Sequence, residues 1–391
     1  MEFRINKVTA GTLAIIFVYF LLFLYLPTKT TCALIQNKAW QEPYYTQLYV
    51  SAFAIFVLLS VLKYKNILNT RELISMFILI IIYMFFINVF YIQSAFISEC
   101  TGTVLSDNWW SALNWIRNNT KECAVVATYW DPGHFITGIA KRSVVFDGAS
   151  QSEVFYKPAT ENKTGIIIEK HENGITRVFS YSNGKEVRAR IQDIGTTLLT
   201  TNETLAVEIL KDYMKPGCDE MYYIASSDLI SKSQWWSYFA TWDPTNPPEY
   251  GNRYVYLMVP LESVRPVLGQ NAIAYSYRLG QQQSFVIYEI NNTLKAFYQQ
   301  QGQLLKVEGL FYFDREGNGR LDLEPEADIK GLLWLDGSRQ LIIFIPTELQ
   351  NSIFTRMFFF NGFGLEKFEF IRDWGGEVKL FKVNFEENVS I

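Results

Sequence analysis

The pentapeptide Tyr129-Trp130-Asp131-Pro132-Gly133 combines side chains that can hold a small alcohol group. An indole N–H donates a hydrogen bond and a carboxylate accepts one, so Trp130 and Asp131 can bind a single hydroxyl from both sides. A site that pairs with a buried hydroxyl rejects ligands that lack one, because its own polar groups would lose their partners. The alternative interpretation is a plain turn after the apolar run 123–127, since Asp-Pro-Gly is a common turn sequence.

The rest of the sequence carries few of the motifs that mark enzymes. It contains no hydrolase triad motif, phosphate-binding loop, dinucleotide fingerprint or zinc-ligand spacing, and its two histidines are His134 and His171. His134 directly follows the pentapeptide, where it either serves the same site or lies on a surface loop. Most enzyme classes are therefore disfavoured.

An acidic stretch in the last quarter of the chain has the spacing of a calcium-binding loop. The candidate ligands of a structural calcium ion are Asp314, Glu316, Asn318 and Asp322. Pro325 stands where the final glutamate of such a loop is expected. The alternative is an acidic turn between two predicted strands, 310–313 and 329–334.

Three apolar segments, at about 8–26, 48–62 and 73–92, dominate the first quarter of the 391-residue chain. Runs of roughly 17 to 25 apolar residues can cross a ~30 Å hydrocarbon layer, so each segment is predicted to be a transmembrane helix. Basic residues mark the cytoplasmic ends of these spans, at Arg4, Lys7, Lys63, Lys65 and Arg71. We expect a multi-pass protein of the cell membrane, with a cytoplasmic N-terminus and an extracytoplasmic C-terminal part.

The four cysteines agree with an exported C-terminal part. Cys32, Cys100, Cys123 and Cys218 all fall on the outer side, where disulfides persist. Pairing Cys32 with Cys100 and Cys123 with Cys218 is one of three arrangements. The same part contains five Asn-x-Ser/Thr sequons, at Asn118, Asn162, Asn202, Asn291 and Asn388. The net charge of −4 argues against a nucleic-acid partner, which usually needs a basic face.

The fold class predicted from these patterns is a membrane-anchored α+β protein. Residues 1–99 form the transmembrane region, 100–245 an α/β domain and 250–391 a β-rich domain of sandwich or barrel type. The proline-containing segment 241–248 marks the boundary between the last two. In the α/β domain we expect a helix that starts at Ser106 or Asp107, strands at 125–128 and 221–225, and helices at 203–213 and 228–239. The strands predicted for the β-rich domain include 254–259, 272–278, 285–290, 332–334 and 341–345.

Four stretches of the sequence carry a family resemblance. They are Ser106-Asp107-Asn108-Trp109-Trp110, Trp115-Ile116-Arg117-Asn118-Asn119-Thr120, Tyr129-Trp130-Asp131-Pro132-Gly133-His134 and Asp147-Gly148-Ala149-Ser150-Gln151. Together they resemble the start of the exported domain in the catalytic subunits of oligosaccharyltransferases, particularly archaeal ones. The likeness continues at 208–213, 222–225, 228–232, 354–359 and 375–381, so it covers roughly residues 105–391. The hallmark of that family is Trp-Trp-Asp-Tyr-Gly, which this sequence matches at Trp130, Asp131 and Gly133 and departs from at Tyr129 and Pro132.

The resemblance implies an acceptor-binding role for the pentapeptide residues Tyr129, Trp130, Asp131 and Gly133. In the family this motif binds the Ser or Thr hydroxyl two residues after the target Asn. The resemblance also implies that Asp228 and Lys232 belong to a second acceptor-side motif. The family spaces this Asp and Lys by three residues and the present chain by four, and both spacings keep the side chains on one helix face. The alternative for this pair is a solvated ion pair.

The activity that the resemblance implies is transfer of a glycan from a lipid-linked oligosaccharide to the Asn amide of an Asn-x-Ser/Thr polypeptide. The family uses Mg²⁺ or Mn²⁺, held by carboxylates on outer loops between early spans. Those loops are absent from this sequence, so its metal site is not complete. We therefore expect either a separate multi-span membrane subunit that carries the metal site, or an inactive relative. The alternative function is that of a non-catalytic, membrane-tethered binding or surface protein that retains the fold.

Overall fold

A computed structural model describes residues 105–150, 154–159, 163–267, 271–291, 293–314 and 316–385, together with positions 69, 71, 74, 75 and 78. The predicted spans at 8–26, 48–62 and 73–92 lie outside these residues, apart from three positions of the last. Within the described part of the chain, no helix combines the length and the apolar character that a membrane crossing requires. The chain divides into two compact units, and the second, Asp107–Ile391, contains nearly all of the described residues.

A five-stranded mixed sheet joins the beginning of this unit to its end. The order across it is β17 (Phe368–Trp374), β18 (Val378–Val383), β7 (Met221–Ser226), β1 (Val125–Ala127) and β2 (Ser143–Val144). Strand β1 runs parallel to both β2 and β7, whereas β18 is antiparallel to β7. Every residue of β7 is buried, as expected for a strand covered on both faces. Because parallel strands end at one edge, the loops that follow β1, β2 and β7 emerge side by side.

Helices surround this sheet, and those at 107–119 and 203–211 lie where the sequence predicts helices. Helix α1 (Asp107–Asn119) buries the predicted apolar face, which includes Trp109, Leu113 and Ile116. A short helix α2 (Gly133–Phe135) continues into a π-helical turn at Ile136–Ala140. Helix α3 (Arg190–Leu199) is almost wholly buried. Helix α4 (Glu203–Lys211) begins after Asn202, whose side chain accepts hydrogen bonds from two backbone N–H groups of the first turn.

The helix predicted at 228–239 is present as two short helices. These are α5 (Asp228–Ser231) and α6 (Ser233–Ala240), and the break falls at Lys232, whose backbone angles are φ −91° and ψ 2°. The Leu229 carbonyl oxygen accepts a 2.9 Å hydrogen bond from the indole N–H of the fully buried Trp236. At the break, this side-chain hydrogen bond is made to a carbonyl oxygen that a continuous helix would pair with a backbone N–H. Helical periodicity alone does not reveal such a bond, because it depends on how Trp236 packs in the core.

A four-stranded antiparallel sheet inserted between β2 and α3 was not predicted. Its order is β3 (Val154–Pro158), β6 (Lys185–Ala189), β5 (Thr176–Ser182) and β4 (Gly165–Lys170). A short 3-10 turn, Glu172–Gly174, separates β4 from β5. The sequence of β6 lacks the usual alternation of apolar and polar residues, because the charged side chain of Arg188 occupies a buried position among carboxylates. Its nitrogens lie 3.0 Å from Asp193 Oδ2 and 2.8 Å from Asp212 Oδ2, and it also pairs with Glu186.

The remaining strands form one nine-stranded sheet. Its order is β8 (Leu257–Pro260), β16 (Leu341–Ile345), β15 (Ile329–Leu335), β13 (Gln303–Phe313), β12 (Thr293–Gln300), β11 (Gln283–Ile290), β10 (Ala272–Gly280) and β9 (Ser263–Pro266), and β14 (Gly319–Leu323) pairs with β13. The sheet curls, so that β8 contacts β10 although these strands are not paired. The curl encloses an apolar cluster that includes Tyr277, Ile287 and Leu333. The predicted strands 272–278, 285–290 and 341–345 lie within β10, β11 and β16.

The structure divides residues 107–391 differently from the predicted boundary near 245. After β16 the chain forms α7 (Thr347–Gln350) and α8 (Ile353–Phe358) and then adds β17 and β18 to the first sheet. One core cluster contains Val125, Leu198, Ile345 and Phe354. Residues 250–391 therefore do not form a separate β-rich domain. Local hydrophobic patterns identify strands without showing which sheet they join.

A disulfide bond links Cys123, just before β1, to Cys218, just before β7, with the two Cα atoms 5.8 Å apart. This is one of the pairs considered from the sequence. Cys32 and Cys100 lie outside the described residues, as do the sequon residues Asn162 and Asn388. The bond ties together the entries of two adjacent parallel strands, whose opposite ends carry the candidate site.

Candidate functional site

Three loops meet at the carboxyl-terminal edge of the parallel strands. The pentapeptide 129–133 follows β1, the segment 147–150 follows β2, and α5 follows β7. Parallel neighbours deliver their following loops to the same edge of a sheet, which is where open α/β sheets usually place a ligand. Residues far apart in the sequence are therefore brought together by strand order.

Lys232 lies between two carboxylates that come from different loops. Its Nζ is 2.7 Å from Asp131 Oδ2 and 2.7 Å from Asp228 Oδ2. The contact with Asp228 is also a hydrogen bond, whereas the contact with Asp131 is an ion pair without hydrogen-bond alignment. Burial would lower the pKa of Lys232, but the two carboxylates outweigh burial and hold this pKa above its usual value. The structure thus contains the ion pair of Asp228 with Lys232 and adds Asp131 to it.

Ser226 extends this group of charges at the end of β7. Its hydroxyl donates a hydrogen bond to Asp228 Oδ1, so both oxygens of Asp228 have partners. The three charged side chains carry one excess negative charge. Each is partly exposed, with 28% of the Lys232 side chain and 31% of the Asp131 side chain accessible. The group is therefore within reach of a ligand in solvent.

The two aromatic residues of the pentapeptide occupy different environments. Tyr129 is buried and packs edge-on against Phe146, with ring centroids 6.1 Å apart. Burial, and then the negative charge of Asp131, raises the pKa of Tyr129. Trp130 is only half-buried and packs one side against the core. Trp130 is therefore the ring that a ligand can contact, and Tyr129 supports the loop from inside.

Gly133 allows the loops after β1 and β2 to approach closely. A Cβ atom at this position would lie 2.5 Å from Asp147 Cβ and 2.8 Å from the Phe146 carbonyl oxygen, closer than atoms can pack. Its backbone φ is ordinary, so the requirement for glycine is steric. Gly133 is buried, and the absence of a side chain leaves room for the loop after β2.

The segment after β2 is a tight turn built on Asp147. Its Oδ1 accepts hydrogen bonds from the backbone N–H groups of Ala149 and Ser150, both at 3.0 Å, and from the Ser150 hydroxyl at 2.9 Å. Burial would raise the pKa of Asp147, but the bonds from Ser150 outweigh it and leave this pKa below its usual value. His134 Nδ1 lies 3.6 Å from Asp147 Oδ2, and the imidazole is exposed. His134 therefore lies beside the site and faces solvent.

Two participants in this arrangement, Asp147 and Ser226, were not among the site residues predicted from the sequence, although Asp147 begins one of the stretches that carry the family resemblance. Asp147 begins the tetrapeptide Asp-Gly-Ala-Ser, in which a side chain commonly caps its own turn, and this signal was available. Ser226 ends a buried apolar run two residues before Asp228. Its role depends on the orientation of Asp228, for which the sequence gives no signal.

The predicted calcium ligands do not fit a cation site. Asp314 Oδ1 accepts backbone N–H bonds from its own turn, and its Oδ2 pairs with Arg320 at 2.9 Å. Asp322 points instead toward Lys295, at 2.8 Å. Asp314, Glu316 and Asn318 lie in the turn between β13 and β14, whereas Asp322 lies within β14. The alternative, an acidic turn between 310–313 and 329–334, therefore applies only in part, because it did not include this strand. Across the described ranges, no three His, Cys, Asp or Glu side chains converge as metal ligands, so these residues also offer no site for Mg²⁺ or Mn²⁺.

Comparison with known proteins gives matches to glycosyltransferases. No family model matches the chain. A dolichyl-phosphooligosaccharide-protein glycotransferase of Methanocaldococcus jannaschii is 22% identical over 349 residues, which cover 75% of this chain and 36% of the relative. A protein of the same name from Methanococcus voltae is 24% identical over 324 residues, covering 67% of this chain and 35% of the relative. The chain thus spans about a third of the length of these curated relatives.

Among solved structures, the C-terminal domain of PglB from C. jejuni is matched over 70% of this chain and 98% of that domain. The TM-score is 0.37 and the sequence identity 12%. The sequence matches cover 75% and 67% of this chain. They confirm that this chain resembles, over most of its length, the archaeal dolichyl-phosphooligosaccharide-protein glycotransferases.

Proposed function

We propose that the loops after β1 and β7 bind the Asn-x-Ser/Thr segment of an acceptor polypeptide during N-linked glycosylation. The observation that carries this proposal is the convergence of Trp130, Asp131 and Lys232 at one edge of the sheet. The names of the relatives, glycotransferases that act on protein, support the same interpretation.

The two oxygens of Asp131 have different roles in this proposal. Oδ2 faces Lys232, and among the described residues no donor contacts Oδ1. Oδ1 is therefore the oxygen that accepts a hydrogen bond from a Ser or Thr hydroxyl, while the Trp130 indole N–H donates a hydrogen bond to the oxygen of the same hydroxyl. The ring face of Trp130 contacts the threonine methyl group. Lys232 holds Asp131 in position through the 2.7 Å ion pair, which makes Lys232 and Asp228 positioning residues.

The chain supplies the acceptor side of a larger reaction in this proposal. The glycan would come from a lipid-linked oligosaccharide and be joined to the Asn amide. The Mg²⁺ or Mn²⁺ ligands implied by the resemblance would belong to a separate multi-span membrane subunit. The disulfide between Cys123 and Cys218 supports an extracytoplasmic location for the site, because such bonds persist in oxidising compartments. The protein would then be anchored in the cell membrane by the predicted spans.

A non-catalytic binding protein with the same fold is the second candidate. It is favoured by the departures from the family hallmark at Tyr129 and Pro132. Both candidates predict sequon binding, but only the first predicts a multi-span partner that restores glycan transfer. Purification of the native complex and assay for transfer to a sequon peptide separates them.

Peptide binding by the full-length chain in detergent tests the site itself. Fluorescence anisotropy should show at least about tenfold tighter binding of an Asn-x-Thr peptide than of a matched Asn-x-Ala peptide. The Asn-x-Ala peptide has no hydroxyl, so it leaves the polar groups of Trp130 and Asp131 without a hydrogen-bond partner. Trp130→Ala and Asp131→Ala should each abolish this preference. The matched controls Trp110→Ala and Asp219→Ala alter exposed residues outside the site and should keep it. Equal affinity of the unmutated chain for both peptides contradicts the proposal.

A further inference from the structure

A groove of about 750 Å³ crosses strands β9 to β11 on the face opposite the enclosed apolar cluster. Small side chains form its floor, namely Ala274, Ser276 and Ser284. On β10 and β11 the intervening residues Tyr277, Phe285 and Ile287 point into the core. The alternation along these strands thus gives one apolar face and one polar, recessed face.

Strand register explains how small side chains come to lie between long ones in this groove. Ala274 is paired with Arg265 on one side and with Tyr288 on the other, so a methyl group lies between two long side chains. In the next row Ser276 is paired with Ser263 and Val286. Paired residues of antiparallel strands share a face of the sheet. The groove therefore results from small residues on β10 that lie between longer ones on β9 and β11.

The groove is lined by groups that pair with hydroxyls. Gln283, Gln299 and Gln301 bring amides that both donate and accept, beside the hydroxyls of the serines. The Tyr288 ring is held edge-on against Phe297, with centroids 5.7 Å apart. A fixed aromatic ring beside paired donors and acceptors suits a sugar, which has apolar C–H faces and a rim of hydroxyls.

The charges in the groove indicate a ligand that places a carboxylate beside Arg265. Glu262 and Arg278 pair at 2.8 Å and neutralise each other. Arg265 is exposed and has no acidic partner in the described ranges. A single unpaired arginine suits one carboxylate, which it can bind through two N–H groups. Nucleic acid is a poor fit because its binding requires several cations, and an apolar peptide is a poor fit because the floor lacks an apolar anchor pocket.

We propose that this groove is a second binding site, for a short oligosaccharide that carries a carboxylate. Arg265 binds the carboxylate, Tyr288 packs against a sugar ring, and the glutamine amides bind hydroxyls. The groove has no residue in common with the loops around Asp131, so the proposal does not depend on the proposed function.

Isothermal titration calorimetry of the full-length chain with trigalacturonate, and with maltotriose as the neutral probe, tests the site. We expect saturable binding of trigalacturonate and at least about tenfold weaker binding of maltotriose, because only the acid pairs with Arg265. Arg265→Gln should remove this difference, and Ser276→Trp should block both sugars by filling the floor. Arg320→Gln is the matched control, an exposed arginine of β14 outside the groove.

Sequon-peptide binding by the same variants serves as the check on folding. Peptide affinity should be unchanged by Arg265→Gln and by Ser276→Trp. If the wild-type chain binds no peptide, circular dichroism spectra of the variants provide the folding check instead. Absence of trigalacturonate binding overturns the proposal, as do equal affinities for the two sugars or binding that survives Ser276→Trp.

Discussion

Lys232 Nζ lies 2.7 Å from Asp131 Oδ2, which joins the loop after β7 to the loop after β1 by an ion pair. The contact exists because β1 and β7 are parallel neighbours, with Val126 opposite Tyr222 in the register. Lys232 also pairs with Asp228, so it neutralises one of two carboxylates that would otherwise repel each other. This lysine is therefore central to the first two predictions.

Replacing Lys232 by methionine should weaken both folding and peptide binding. The side chains in the group are 28–34% exposed, so we expect the coupling between Lys232 and Asp131 to be about 1 kcal/mol or less after allowance for solvent screening. A double-mutant cycle with Lys232→Met and Asp131→Asn, followed by urea unfolding, measures this coupling. Lys211→Met, on the exposed face of α4, is the matched control. Additive effects of the two changes would show that the ion pair contributes nothing.

The contribution of Lys232 should depend on pH at the alkaline end. Its pKa is raised in the folded protein, so the stabilisation is fully present below the unfolded-state pKa and is lost as pH rises through the folded-state pKa. The difference in unfolding free energy between wild type and Lys232→Met should therefore be constant at neutral pH and shrink above about pH 10.5. Urea unfolding over a pH series measures it. If the difference in unfolding free energy already shrinks between about pH 6 and 8, the pH dependence arises from a titrating group other than Lys232.

Replacing Gly133 by alanine should separate the loops after β1 and β2. The added Cβ would meet Asp147 Cβ at 2.5 Å, and such overpacking costs about 1–3 kcal/mol. Sequon-peptide affinity should fall as well, because the shift moves Trp130 and Asp131. Gly138→Ala is the control, since a Cβ there meets nothing within 4 Å. Unfolding and anisotropy measurements that show no difference between the two variants would indicate that the close approach is unimportant.

Removing the disulfide with Cys123→Ser and Cys218→Ser should lower stability by about 2–5 kcal/mol. The two cysteines are 95 residues apart in sequence, so the bond constrains a long loop of the unfolded chain. Urea unfolding of the double variant should match that of the reduced wild type. Alkylation and mass spectrometry provide a direct check, because free thiols at both positions in the untreated protein would contradict the bond.

The predictions from sequence succeeded where one local pattern determines the structure. The apolar spacing of Trp109, Leu113 and Ile116 predicted the buried face of α1, and the β-branched run 341–345 predicted β16. The pentapeptide was also correctly placed at a strand end. These features depend on neighbours in sequence, which are visible without a structure.

Features that depend on distant partners were not predicted. The sheet that contains β6 was missed because Arg188 is buried through pairing with Asp193 and Asp212, and such a pattern looks like exposed sequence. The calcium interpretation failed because Asp322 turns toward Lys295 on another strand. The meeting of Asp131 with Lys232 required the order of strands, which one sequence does not provide.

Strand β18 lies between β17 and β7, so the first sheet is completed by residues near the end of the chain. The segment between Ser226 and Val378 must therefore be synthesised before β7 gains its second neighbour. Until then β7 presents an open, apolar edge to other nascent chains. A premature stop codon before Val378 would leave that edge permanently uncovered, and the expected product is an aggregate cleared by proteolysis.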